Sequence, residues 1–133
     1  MTLVADASLL LALYLGEPAA PEARALLEAE AVIAPEFVLG EVTNGLWRAC
    51  CMRRLSAADA RLLLPTVPSL FQRLIGMEEL AELALDLALR RNHPAYDCFY
   101  VALAMQEGAP LATADRRLAE RFAGEAVIHL LPG

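Results

Sequence analysis

Four short apolar runs constrain this chain more than any other feature. Thr2–Ala5, residues 31–34, Leu111–Thr113 and residues 127–130 lack the polar/apolar alternation of half-exposed strands, and stretches with helical spacing lie between them. Strands buried on both faces read this way, and the helices between them serve as crossovers in a parallel sheet. Residues 68–71 offer a fifth, short strand. The expected fold is α/β: a three-layer α/β/α sandwich around a central parallel sheet of four to five strands. At 133 residues the chain has the length of one domain, spanning 1–133.

The connecting segments carry their own signals. Residues 9–15 are leucine-rich and stop at Gly16-Glu17-Pro18, and residues 22–30 form a second helical stretch, giving a β-α-α-β opening unit. In residues 37–53, Phe37, Val38, Glu41, Val42, Gly45, Leu46 and Ala49 recur at helical spacing. Ser56 with Asp59 three residues on is an N-cap signature for a helix that Pro65 ends. Met77–Arg91 reads as a long helix, and Asp115 opens another over residues 116–122.

The chemistry lies in the carboxylates. Asp97 follows Pro94 in a stretch that is apolar on nearly every side, so its surroundings should be dry and the carboxylate paired, hydrogen-bonded or bound to a metal. Asp6 directly follows the first strand, and Asp115 follows Leu111–Thr113 in the same way. In an open parallel sheet the ligand site lies beyond the carboxyl ends of strands where the strand order reverses. If these two strands are neighbours, both aspartates reach one crevice. Capping of the following helix is the alternative for each, and the two roles are compatible. Of the five aspartates, Asp59 fits a helix start and Asp86 an exposed helix face, which leaves Asp6, Asp97 and Asp115. Glu41, on or beside the apolar face of its helix, is the fourth candidate; its rival Glu36 sits at a helix start by Pro35.

Carboxylates gathered within about 4 Å repel by about 4 kcal/mol per pair at an intermediate effective dielectric. A divalent cation removes that cost, and an all-oxygen donor set selects Mg²⁺ or Mn²⁺ over zinc. Such ions keep waters and bind substrate phosphates, so the implied chemistry is phosphoryl transfer or phosphodiester hydrolysis. The sequence has no Gly-x-Ser-x-Gly elbow, phosphate-cradling glycine loop or dinucleotide fingerprint. Cys50, Cys51 and Cys98 lack zinc or disulfide spacing.

A net charge of −6 excludes a broadly basic nucleic-acid binder and leaves room only for a local rim built from arginines, which make up all 11 basic residues. Hydrophobic residues reach 58%, enough to leave apolar surface for a partner. The helix at residues 9–15 has no polar face, so its outer side needs cover, and Trp47 and Leu46 place a second apolar wall nearby. The apolar run at the start is too short to span a bilayer, so no membrane partner and a cytoplasmic location are expected.

Four segments in this order resemble the PIN-domain family, specifically the VapC-like ribonuclease toxins of prokaryotic toxin–antitoxin pairs. They are Val4-Ala5-Asp6-Ala7-Ser8, the helix from Pro35 through Glu41-Val42-Thr43-Asn44, Ala95-Tyr96-Asp97-Cys98-Phe99-Tyr100, and Leu111-Ala112-Thr113-Ala114-Asp115. The resemblance covers essentially the whole chain. It implies that Asp6, Glu41, Asp97 and Asp115 bind Mg²⁺ or Mn²⁺ and are catalytic, with Ser8, Asn44 and Thr113 in support. It also implies an RNA substrate, a cognate antitoxin protein seated in an apolar groove, and a homodimer. A housekeeping nuclease of the same fold, or a catalytically silent interaction module, are the alternatives.

Overall fold

The computed structural model describes residues 1–132. In chain order the elements are β1 (Thr2–Ala5), α1 (Ala7–Leu15), α2 (Ala20–Ala29), β2 (Ala31–Pro35), α3 (Val38–Cys51), α4 (Ala57–Leu63), a 3₁₀ segment (Leu64–Leu70), β3 (Arg73–Ile75), α5 (Met77–Arg91), α6 (Ala95–Glu107), β4 (Leu111–Thr113), α7 (Arg116–Arg121) and β5 (Ile128–Leu130). All strand pairs are parallel, in the order β3-β2-β1-β4-β5. Val4, Ala5, Ile33, Ala34, Leu111 and Ala112 are inaccessible, as strands covered on both faces require. With the right-handed crossovers that parallel strands take, this strand order puts the α1–α3 helices on one face and α5–α7 on the other. Packing follows that division: α1 touches α2 and α3, while α5 lies along α6.

One expected strand is displaced. Residues 68–70 belong to the 3₁₀ segment, where Pro65 and Pro68 interrupt regular hydrogen bonding, Phe71 follows it in extended conformation, and the strand is β3, starting at Arg73. It is an edge strand paired only with β2 and exposed at Arg73, so it lacks the two-sided apolar signature of the others.

The outer side of α1 is covered largely from within. Leu9, Leu10 and Ala12 are buried, and Leu11 packs against α3 where Gly45 leaves room. A Cβ at Gly45 would run into the Leu11 side chain, so any larger residue there would force Leu11 to move. A slot of about 350 Å³ remains between α1 and α3, walled by Leu11, Leu15, Ala49 and Met52. Trp47 does not line it. Trp47 is 61% exposed and borders a separate groove of about 290 Å³ between α3 and α4. Among the described residues no helix is long and apolar enough to cross a membrane.

Candidate active site

β1 and β4 are adjacent, and the strand order reverses between them. Their carboxyl ends place Asp6 and Asp115 at the mouth of one crevice, where an open parallel sheet binds its ligands. Asp6 is 5% exposed and caps α1, its Oδ1 accepting the Ser8 N–H at 3.1 Å. The Ser8 hydroxyl donates to the same oxygen, and Thr113 Oγ1 donates to Oδ2 at 2.6 Å. Each hydroxyl in turn accepts a backbone N–H: Ser8 from Ala114 at 2.8 Å, Thr113 from Asp115 at 2.9 Å. The network runs from the backbone just after β4 through two hydroxyls into one carboxylate, which orients Asp6 from both sides. Burial still pushes its carboxyl up to about 6, against the lowering effect of Ser8 and Thr113, with the charge of Asp115 adding a little.

Asp115 caps α7, its Oδ1 accepting N–H groups of Arg117 at 2.9 Å and Leu118 at 3.3 Å. Glu41, in the first turn of α3, is half-buried, and its Oε1 accepts the Tyr100 hydroxyl. Burial pushes the Glu41 carboxyl up to about 7; the Tyr100 bond lowers it, and the charges of Asp6 and Asp97 raise it. The starts of α3 and α6 are joined again by Phe37 stacked on Tyr96, ring centres 5.1 Å apart.

The surroundings of Asp97 differ from the dry ones its sequence context implies. Its side chain is 31% exposed and paired with His93 Nε2 at 2.7 Å; full burial along α6 begins one residue later, at Cys98. The expectation of a paired carboxylate holds, and the partner sits four residues before it. His93 is itself fixed edge-on against Phe122.

The crevice measures about 350 Å³ and is lined by Asp6, Ser8, Glu41, Asn44, Arg48, Asp97 and Asp115, with Ala7, Leu11 and Gly45. Thr113 is fully buried behind it. All four candidate carboxylates thus face one space, with Ser8 and Asn44 beside them. Glu36 is exposed and lines no part of it, Asp59 supplies its backbone N–H to Ser56, and Asp86 is on an exposed face. Sequence reasoning passed over His93, Tyr100 and Arg48. The first two flank Asp97 at helical spacing, and Arg48 follows Asn44 by four residues on α3, so the register was readable but the partners were not.

A family model described as PIN domain matches residues 3–124. The chain belongs to the PIN-domain family. It is 36% identical over 125 residues to ribonuclease VapC3 of Pyrobaculum aerophilum, covering 92% of this chain and 95% of that protein. It is 36% identical over 130 residues to ribonuclease VapC9 of Mycobacterium tuberculosis, covering 98% of each. Among solved structures, a Pyrobaculum aerophilum protein superposes with a TM-score of 0.69 at 28% identity, over 96% of this chain and 92% of that one.

Among the described residues the crevice presents carboxylates, a hydroxyl and an amide and no sulfur or imidazole lining, a donor set suited to a hard divalent ion such as Mg²⁺ or Mn²⁺. Among the described residues no three His, Cys, Asp or Glu side chains are already drawn together as a ready cage. Each carboxylate is held by its own protein donor: Asp6 by Ser8 and Thr113, Glu41 by Tyr100, Asp97 by His93, Asp115 by backbone N–H groups.

Proposed function

We propose that this protein is a divalent-metal-dependent endoribonuclease, the toxin of a type II toxin–antitoxin pair. The carrying observation is that Asp6, Glu41, Asp97 and Asp115 line one crevice at the carboxyl ends of β1 and β4 in a PIN-family chain. The naming of its relatives as VapC ribonucleases supports the substrate class.

Bound there, Mg²⁺ or Mn²⁺ would activate a water for attack on phosphorus and stabilise charge on the phosphate and the departing 3′ oxygen. Asp6, Glu41, Asp97 and Asp115 would hold the ion, and Ser8 and Thr113 keep Asp6 aimed into the crevice. Asn44 offers an uncharged amide beside Glu41. Among the described residues Arg48 is the one cation lining a crevice of four carboxylates, and it makes no ion pair there. In a chain of net charge −6 it is the residue placed to meet an RNA phosphate.

The slot between α1 and α3 opens beside the crevice, sharing Ser8, Leu11, Gly45 and Arg48 with it. We assign the antitoxin to this slot and expect the toxin to be a homodimer in the cytoplasm. Light scattering at high concentration checks the dimer: a mass equal to the 14.4 kDa monomer contradicts it. The function itself is tested by the ends of the RNA fragments. Hydrolysis by water breaks the P–O3′ bond and leaves 5′-phosphate and 3′-hydroxyl ends; 2′,3′-cyclic phosphate ends would refute the mechanism.

A further inference from the structure

Tyr100 is 1% exposed, and its ring lies in the core formed where α6 packs on β1, β2 and β4. A phenylalanine would fill that volume equally well, so the hydroxyl needs its own explanation. A hydroxyl this deep requires an acceptor. The acceptor here is the Glu41 carboxylate, in the opposite helical layer, rather than a backbone carbonyl. Glu41 Oε2 accepts no hydrogen bond from the described residues, so the contact fixes one oxygen and leaves the other unclaimed. Tyr100 also follows Asp97 by three residues on α6, so the same helix presents one crevice carboxylate directly and reaches a second through its phenol.

We propose that Tyr100 is a positioning residue of the metal site: its hydroxyl, donated from α6 to α3, holds Glu41 with a single carboxylate oxygen free for the ion. This rests on the metal-site reading above. A glutamate side chain is rich in rotamers, and one held by a buried donor from another helix has already lost the freedom that ion binding would otherwise remove. The phenol carries one proton, and it is donated to Glu41 Oε1.

The test is a cycle of Tyr100→Phe, Glu41→Gln and the double variant, read by Mn²⁺ binding in titration calorimetry and by the electron spin resonance of the bound ion. Tyr100→Phe removes one oxygen from a packed ring, and thermal unfolding in EDTA verifies the fold of each variant. Tyr100→Phe should weaken Mn²⁺ binding about tenfold. In the Glu41→Gln background it should have no further effect, because its only route to the ion is gone. Unchanged Mn²⁺ affinity in Tyr100→Phe, or an equal loss in the Glu41→Gln background, overturns the assignment while leaving the metal site intact. Native Mn²⁺ affinity in Glu41→Gln overturns the metal reading, and the role of Tyr100 with it.

Discussion

Replacing Asp6 by Asn removes a charge from the least exposed carboxylate of the crevice while keeping its shape. In the folded chain burial holds the Asp6 carboxyl at about 6 instead of the ordinary 3.8. Between those values the folded chain keeps a proton that the unfolded chain has released, so stability falls as pH rises through the window and stays reduced above it. The difference corresponds to about 3 kcal/mol favouring the neutral form. Asparagine needs no such desolvation, and its Oδ1 can still accept both Ser8 donors. Its Nδ2 faces Thr113 Oγ1, whose hydroxyl must turn away and lose a strong acceptor, at a cost of about 1 kcal/mol. The metal-free Asp6→Asn chain should therefore be about 2 kcal/mol more stable than the parent at pH 8, a shift of roughly 5–10 °C in Tm. At pH 4, where the parent carboxyl is neutral when folded, most of that advantage should vanish. RNA cleavage should fall to background in the same variant. Thermal unfolding in EDTA at the two pH values is the assay. A variant less stable than the parent at pH 8, or a stability gap independent of pH, would refute the reasoning.

Two further substitutions probe the crevice. Thr113→Val keeps the volume of a fully buried residue but removes the donor to Asp6 and the acceptor for the Asp115 N–H; urea denaturation at pH 8 should show a loss of about 2–3 kcal/mol, and a loss below about 0.5 kcal/mol would contradict the network. Arg48→Ala should raise KM for RNA several-fold with little change in kcat and flatten the salt dependence of RNA binding by about one phosphate contact; an unchanged KM and salt slope would remove Arg48 from the substrate path.

What was legible in the sequence follows from how local each signal is. Asp6 and Asp115 could be set at one edge because each lies within two residues of the end of an apolar strand, and strand ends in a parallel sheet share that edge; that β1 and β4 are neighbours came only with the sheet order. The Ser56 cap, the left-handed Gly16 and Gly108 that close α1 and α6, and the limits of α5 are written in adjacent residues. Edge strand β3 was misplaced because its apolar content is small and a more apolar, proline-interrupted run precedes it. The exposure of Asp97 depends on how far the first turn of α6 projects beyond the core, which periodicity does not encode. The bond from Tyr100 to Glu41 joins residues 59 apart in opposite layers, so it existed only once the sheet order was known.

If the four carboxylates work as one metal-dependent centre on RNA, cleavage of a labelled RNA by the purified protein must depend on both the metal and the pH. With Mg²⁺ or Mn²⁺ present, activity should rise as pH passes from about 6 to 7, because Asp6 and Glu41 must give up protons before they can hold the ion. It should be abolished by EDTA, restored by added Mn²⁺, and absent in Asp97→Asn. Undiminished cleavage after exhaustive chelation, or full activity in Asp97→Asn, would contradict the account.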